Sequence, residues 1–416
     1  MASVDKTEIS EIEGFTNIEE MVERFPIPTT LRRPILVKPQ VLMGSGPTNP
    51  SQRVIEALAK PVMGLHTDEL HQIMDEIRDG LKFLFQTKNQ VTFCTSGSGD
   101  AGREVVLGNL IEPNDVVLVC VSGSFGSRAV EISKRYGAIV KALESKLGTT
   151  LTYEQIRAHV ETHKPKILFV CHGDSSTGVL QSLNNLGELC RRNDCLLVVD
   201  AVSTLGAVDL YVDDWKIDAA FSESHNGLGA PAGLAPVTFG QRAMYAIQNR
   251  KVQSNVYYFD AIYLSNFFQC NDQPRLFHHT ICAQLLYAFR EAIAEIIEVN
   301  FELFKQHHID CAQRLHEGLQ NIGLELFVEK STERLPSVTS VRIPHGVKIE
   351  NVMSYMMQRY SLEISKGIDF TNGILFRIGT MNANATRQKV DLVLRALYDA
   401  LMATSNYIAP QTKVYY

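Results

Sequence analysis

The chain has 416 residues, of which 45% are hydrophobic and 21% are charged, and its formal net charge is −6 at pH 7. These values predict a globular protein with a sizeable core and room for two domains. They argue against a membrane-spanning chain, because no apolar run approaches the ~18 residues of a span. They also argue against a nucleic-acid-binding protein, because no basic block or basic–aromatic repeat occurs.

The cysteines and the chain ends bear on location. None of the eight cysteines forms a Cys-x-x-Cys pair, and several lie in apolar, strand-like runs, which favours buried free thiols in a reducing compartment. The first 24 residues lack an apolar signal core and hold seven acids and two bases, unlike a mitochondrial transit peptide. The last four residues, 413–416, are not a peroxisomal signal. We therefore expect a cytoplasmic protein, by elimination.

Residues 1–40 are predicted to form an N-terminal arm, acidic at first and then interrupted by prolines. Such an arm could be loose or could pack on a partner subunit, and composition does not decide between the two. The Gly/Pro-rich turn at 44–50 follows it. This turn is either an ordinary loop or, at Gly46, a backbone edge against which a small substrate lies.

From residue 90 to residue 240, apolar β-rich runs alternate with amphipathic helical patterns. Strands are predicted at residues 90–94, 116–121, 167–172, 195–200, 219–222 and 235–239. Near-continuous apolar strands separated by helices are typical of a parallel sheet covered by helices on both faces. We therefore predict a large α/β domain over residues 41–295, with ligands at the carboxyl ends of its strands.

Residues 296–416 are predicted to form a smaller α+β domain. Helical periodicity is strong at 279–299, which spans the predicted border, and at 301–322, inside the smaller domain. Further predicted elements are strands at 324–328, 338–343 and 374–378 and helices near 349–359 and 386–403.

A Gly/Ser turn, residues 96–100, lies between a predicted strand and a predicted helix. Such a turn presents free backbone N–H groups and the positive end of the helix dipole to a phosphate, although it could equally be a helix cap without a ligand. The carboxylate of Asp100 would compete with a phosphate here and could itself cap the helix and fill the anion site. Arg103, on the same helix, could offset that charge.

Two charged residues lie on apolar strands, where an unpaired charge is costly. Asp200 ends the strand at 195–200, and Arg377 lies on the apolar run at 374–378. We expect each of them to have a partner of opposite charge. The alternative is a turn or cap role for Asp200 and a purely structural role for Arg377. The paired histidines 278 and 279 are weak evidence for a metal, and we predict none.

The loop at 222–233 reads Ser-Glu-Ser-His-Asn-Gly-Leu-Gly-Ala-Pro-Ala-Gly and follows a short buried strand. Its setting, order and spacing resemble the loop of the class V, pyridoxal-phosphate aminotransferases, which reads roughly Ser-x-Ser-Gln-Lys-x-Leu-x-Ala-Pro-Pro-Gly in the alanine–glyoxylate, serine–pyruvate and 3-hydroxykynurenine transaminases. Asn226 stands where that family has its Schiff-base lysine, and His225 stands where it has Gln. No lysine occurs between Lys216 and Lys251.

The resemblance extends from about residue 40 to residue 405. It implies a fold type I PLP-transferase, an α/β fold with a mainly parallel sheet covered by helices in the large domain and a smaller α+β C-terminal domain. It further implies pyridoxal phosphate or pyridoxamine phosphate as cofactor, a small amino-acid or keto-acid ligand, and a homodimer, since that family builds its site across two subunits.

The resemblance also assigns roles to single residues. Matching residues that the family retains are Ser175 beside the cofactor ring, Asp200 on the pyridine nitrogen, Val202 under the ring, Thr280 near the neighbouring subunit's phosphate, and Arg377 on the substrate carboxylate. The phosphate cradle would be Ser98, Gly99 and Asp100, and Gly46 would contact substrate. Altered positions are Asp100 for His, Phe125 for the stacking Trp, His225 for Gln, Asn226 for Lys and Phe277 for Tyr.

Three hypotheses follow from these changes. The chain could be a pseudoenzyme with little or no transaminase activity that still binds a small carboxylate. It could be an active enzyme of altered chemistry, which uses pyridoxamine phosphate or a base such as His225. It could also be an ordinary transaminase that recruits another base.

Overall fold

The computed structural model describes residues 28–271 and 273–408. The chain divides into two units, Met1–Gln40 and Val41–Tyr416. The described part of the first unit holds the short 3-10 turn Thr29–Arg32, whose residues are exposed. The acidic part of the predicted arm, residue 272 and residues 409–416 lie outside the described residues.

The elements of the second unit are numbered along the chain. Its strands are β1 (Val41–Leu42), β2 (Val91–Gly97), β3 (Val116–Val121), β4 (Ile139–Glu144), β5 (Ile167–Cys171), β6 (Gly173–Asp174), β7 (Val179–Leu180), β8 (Leu196–Asp200), β9 (Ala219–Phe221), β10 (Gly233–Phe239), β11 (Val338–Arg342), β12 (Leu362–Glu363), β13 (Ser365–Lys366) and β14 (Leu375–Gly379). Its α-helices are α1 (Gln52–Leu58), α2 (Asp68–Leu84), α3 (Gly99–Leu110), α4 (Ser124–Arg135), α5 (Tyr153–His163), α6 (Leu186–Arg192), α7 (Gln241–Gln248), α8 (Ala261–Phe267), α9 (Ala283–Val299), α10 (Phe301–Asn321), α11 (Ile349–Tyr360) and α12 (Arg387–Thr404).

A seven-stranded sheet forms the centre of the second unit, in the order β2-β10-β9-β8-β5-β3-β4. Within it β10 runs antiparallel to β2 and β9, whereas β9, β8, β5, β3 and β4 pair in parallel. Every residue of β5 and β8 is buried, as expected for parallel strands between two helical layers. The predicted mainly parallel sheet is therefore confirmed.

Two of the differences from the sequence-based prediction have a clear physical cause. Strand β4 was not predicted, because it pairs only with β3 at the sheet edge and is largely exposed, so its sequence lacks a continuous apolar run. The strand predicted at 324–328 is wrong, since only Leu326 forms a bridge, to Val341. That run is apolar because most of its side chains are buried, not because it belongs to a ladder.

The C-terminal elements have their own hydrophobic cluster. A three-stranded sheet, β11-β14-β13, is antiparallel, and α12 packs on α10 and α11 beside it. Strand β1 pairs in parallel with β12, and Met43 is fully buried in this cluster. The predicted border between residues 295 and 296 falls inside α9, whose buried side chains belong to the cluster of the large sheet, and the domain limits stay a prediction.

In the part of the chain that the structure describes, no helix has the length and apolar character to cross a membrane. The same residues contain no group of three or more His, Cys, Asp or Glu side chains that could hold a metal ion. All eight cysteines are free, and all but Cys282 are buried, which confirms the expected buried thiols at seven positions.

Candidate active site

Loops that follow the carboxyl ends of the parallel strands enclose a cavity of about 220 Å³. It is lined by Ser45, Gly46, Ser98, Gly99, Asp100, Arg103, Phe125, Arg128, Ser175, Val202, Glu223, His225, Asn226 and Arg377. All predicted site residues except Asp200, Phe277 and Thr280 are among them. The position agrees with the rule that ligands of open α/β sheets bind outside the carboxyl ends of the strands.

Asp200 ends β8 and forms a buried ion pair with Arg103 of α3. Its Oδ2 lies 2.7 Å from Nη2 of Arg103, and both side chains are only 1% exposed. Its Oδ1 accepts the backbone N–H of Val202 at 3.0 Å. Burial lowers the pKa of Arg103, but the charges of Asp200 and Asp100 outweigh this effect and the net shift is upward. The partner that a buried carboxylate needs is therefore supplied by the chain itself.

Asp100, in the first turn of α3, joins two arginines. One carboxylate oxygen contacts Arg103, and the other lies 2.9 Å from Nη1 of Arg128. The ring of Phe125 lies beside both guanidinium groups, whose Cζ atoms are 5.7 and 5.0 Å from its centroid, within cation–π distance. The carboxylate of Asp100 is thus bound to side chains and does not cap α3, and the N-cap residue Ser98 makes no side-chain capping bond either.

The start of α3 is occupied by Glu223, a residue that the sequence analysis did not select. The backbone N–H of Gly99 donates to Oε2 of Glu223 at 3.2 Å. Its Oε1 lies 2.8 Å from Nε2 of His225 and accepts the side-chain amide of Asn226. Glu223 is 7% exposed. The sequence offered one signal for this residue. Glu223 comes just after β9, and an acid at the carboxyl end of a parallel strand lies where ligands bind.

Asn226 begins a 3-10 turn, Asn226–Leu228, with a positive φ of 60°. Its amide nitrogen is bound to Glu223, and its Oδ1 is buried without a hydrogen-bond partner among the described residues. That oxygen lies against Gly46, where a Cβ would collide with it. Nδ1 of His225 is likewise buried without a partner in the described chain. Neither side chain places an amine in the cavity.

Arg377 presents a buried cation on β14, where it is 6% exposed. Its Nε donates to the carbonyl of Lys366 at 2.8 Å, and its Nη1 donates to the carbonyl of Ser175 at 3.1 Å. Burial lowers its pKa to about 10, and the opposing charges of Asp174, Glu363 and Asp369 only partly offset this. Among the described residues no carboxylate forms an ion pair with Arg377, so an anion in the cavity would supply its missing partner.

Phe277 and Thr280 lie outside this cavity. Phe277 is 55% exposed, with its ring 5.6 Å from that of His66, and Thr280 is exposed. Their assignment to the cofactor phosphate of a neighbouring subunit stays a prediction. Of the paired histidines, His279 bonds through Nε2 to the hydroxyl of Ser96 at 3.1 Å.

Comparison with known proteins agrees with this architecture. The family described as aminotransferase class-V matches residues 41–391. The alanine–glyoxylate aminotransferase of Drosophila melanogaster is 44% identical over 380 residues, which cover 91% of this chain and 96% of that protein.

Two solved structures have the same fold. The alanine–glyoxylate aminotransferase from Nostoc sp. has a TM-score of 0.86 and 36% identity, with 89% of this chain and 97% of that chain covered. The ureidoglycine–glyoxylate aminotransferase from Bacillus subtilis has a TM-score of 0.88 and 35% identity, with 92% and 97% covered. The chain therefore belongs to the class V aminotransferase family and is similar, within it, to the glyoxylate aminotransferases.

Proposed function

We propose that this chain is a class V aminotransferase-like protein with little or no transaminase activity, which binds a small carboxylate in the family's pocket. The observation that carries the proposal is Asn226, at the position that the resemblance gives to the Schiff-base lysine. No lysine lines the described cavity. An amide is neither a useful nucleophile nor a base near neutral pH, and loss of a positioned base alone costs roughly 10²–10⁴-fold in rate.

The family's cofactor, pyridoxal phosphate or pyridoxamine phosphate, does not fit the residues present. Asp200, which would pair with the pyridine nitrogen, is already paired with Arg103. Two carboxylates, those of Asp100 and Glu223, lie at the start of α3, where the resemblance places the phosphate. A phosphate there would meet like charges and would have to displace Glu223 from the N–H of Gly99.

Arg377 supports the second part of the proposal. Its planar guanidinium suits bidentate binding of a carboxylate, and the backbone edge at Gly46 and the cavity wall at Ser175 lie beside it in the same cavity. A cavity of about 220 Å³ accommodates a small amino or keto acid rather than a larger ligand. By the family resemblance we further propose a homodimer, and by elimination of targeting signals in the sequence a cytoplasmic location.

An active enzyme that uses His225 as its base is the second candidate. Its support is the contact of 2.8 Å between Nε2 of His225 and the carboxylate of Glu223, because a base is commonly oriented by such a group. The first proposal is preferred, since the remaining ring nitrogen, Nδ1, is buried.

The experiment measures amino-group transfer from alanine to glyoxylate by the purified protein, with pyridoxal phosphate or pyridoxamine phosphate added. We expect no turnover above that of the cofactor alone. Turnover by the unmodified chain would contradict the proposal, and its loss in His225→Asn would then favour the second candidate.

Carboxylate binding is measured on the same protein by calorimetry with glyoxylate and pyruvate. Arg377→Gln should abolish the binding. Arg342→Gln, on the neighbouring strand β11 and paired at the surface with Glu325, is the matched control and should retain it. Equal binding by the two variants would show that Arg377 does not hold the ligand.

A further inference from the structure

We infer that Glu223 is a built-in replacement for the cofactor phosphate, so that this chain excludes phosphorylated cofactors and completes its pocket with its own carboxylate. The inference rests on the proposed function and deepens it. It identifies the residue that excludes the cofactor phosphate, whereas the proposed function concerns the lost activity and the ligand that the pocket still binds.

The first support is the contact itself. A helix start offers unpaired N–H groups and the positive end of the helix dipole, which together favour an anion. Here the N–H of Gly99, the first residue of the twelve-residue helix α3, is bonded to Oε2 of Glu223. Glu223 reaches this point from the loop after β9, more than a hundred residues further along the chain. The anion site at the start of α3 is therefore occupied by a side chain of the protein itself.

The second support is that Glu223 is held by the same loop that has lost its lysine. Its Oε1 accepts a hydrogen bond from the side-chain amide of Asn226 and lies 2.8 Å from Nε2 of His225, and its Oε2 accepts the backbone N–H of Gly99. Both oxygens of this buried carboxylate thus have donors. Asn226 and His225, the two residues that replace Lys and Gln of the resembled loop, fix Glu223 in place rather than leaving it free to move.

The third support is the lack of space at the helix start. A Cβ added to Gly99 would lie 2.7 Å from Cγ2 of Val202 and 3.0 Å from Oε2 of Glu223. The space beside the first residue of α3 is therefore taken by Val202 and Glu223 together. Asp100 adds a second carboxylate but is balanced by two arginines. In the described chain Glu223 has no such lysine or arginine partner, and its Oε1 contacts the side chains of His225 and Asn226.

A consequence concerns restoration of the lysine. In Asn226→Lys the new ammonium would lie beside Glu223, and a nearby carboxylate favours the charged form of an amine. The lysine would then remain protonated and paired, not available as a nucleophile. Restoration therefore needs both changes, Asn226→Lys and removal of the carboxylate at position 223.

The experiment measures binding of pyridoxal phosphate, pyridoxal and inorganic phosphate to the full chain by calorimetry. The unmodified protein should bind none of them at about ten micromolar. Glu223→Gly, which removes charge and bulk, should bind pyridoxal phosphate about tenfold tighter or more, with no gain for pyridoxal. Glu223→Gln keeps the size and removes the charge, and it serves if the glycine variant does not fold.

Glu112→Gln is the matched control, because Glu112 also accepts backbone N–H groups, at 2.7 and 2.9 Å, but lies outside the cavity. It should leave all three affinities unchanged. A covalent adduct at position 226, trapped by borohydride and located by mass spectrometry of the digested protein, should form with Asn226→Lys/Glu223→Gly and not with Asn226→Lys alone. An adduct with the single variant would overturn the inference.

The two proposals fail in different ways. Tight binding of pyridoxal phosphate or pyridoxamine phosphate by the unmodified chain, or no gain in the folded Glu223 variants, overturns the inference and leaves the absence of amino transfer untouched. If the unmodified chain binds neither glyoxylate nor pyruvate while phosphate is still excluded, only the proposed carboxylate ligand is overturned.

Discussion

The pair between Arg103 and Asp200 provides the sharpest test of the buried charges. In Arg103→Met the apolar stem is largely kept, but Asp200 is left as a carboxylate that is 1% exposed and without its ionic partner. Removal of one member of a buried pair costs about 3–5 kcal/mol of unfolding free energy. The other contact of Arg103, with Asp100, adds little because Asp100 is 46% exposed. We therefore expect a loss of about 4 kcal/mol.

The loss is measured by urea unfolding at pH 7, followed by circular dichroism. Arg135→Met is the control, since Arg135 is 76% exposed and its pair with Glu131, at 2.9 Å, belongs to the surface of α4. Such exposed helix pairs contribute about 0.3–0.5 kcal/mol. Arg103→Met/Asp200→Asn removes both charges and should recover at least half of the loss, because no buried charge is then left unpaired.

Two results would refute this reasoning. If Arg103→Met loses no more unfolding free energy than Arg135→Met, Asp200 does not depend on the ion pair. If the double variant is no more stable than Arg103→Met, the loss comes from packing against Phe125 and Phe221, which Arg103 also contacts, and not from charge.

Two further predictions concern single side chains. Burial lowers the pKa of His308 to about 4 from 6.5, so the folded state loses stability as the pH falls from 6.5 towards 4. His308→Gln should lose about 2 kcal/mol less unfolding free energy between pH 7 and pH 5 than the unmodified chain, and equal losses would contradict this. Because Cys282 alone of the eight thiols is exposed, one thiol per folded chain should react rapidly with dithiobis(nitrobenzoate) and none in Cys282→Ser. Several fast thiols in the unmodified chain would show that the buried ones are accessible.

The sequence predicted the ends of the inner strands well because parallel strands such as β3 and β5 are apolar throughout. Strand β3 was predicted with the same limits, Val116–Val121, and the loops expected at the site line one cavity. The last helix was predicted near 386–403, and in the structure α12 begins at Arg387, where the side chain of Thr386 accepts the N–H of Lys389. These features depend on residues close together in the chain, where a local pattern carries the information.

The sequence did not reveal contacts between distant side chains. The partner of Asp200 is Arg103, 97 residues away, and Glu223 reaches Gly99 across 124 residues. No periodicity or spacing shows which way a side chain turns at a strand end, so Arg103 was considered only as a counter-charge to Asp100. The occupation of the anion site by Glu223 could therefore be recognised only from the structure.

Strand β1 has a consequence for how the chain is made. Beside it, the N–H of Ser45 is bonded to the hydroxyl of Ser365 at 3.0 Å, across 320 residues. Translation at about 5–20 residues per second separates the two by roughly 15–60 s, during which β1 has no strand to join and Met43 has no core to enter. A chain that stalls before β12 (Leu362–Glu363) keeps β1 unpaired and Met43 outside a core, and unpaired strand edges and exposed apolar side chains make an incomplete chain prone to aggregate.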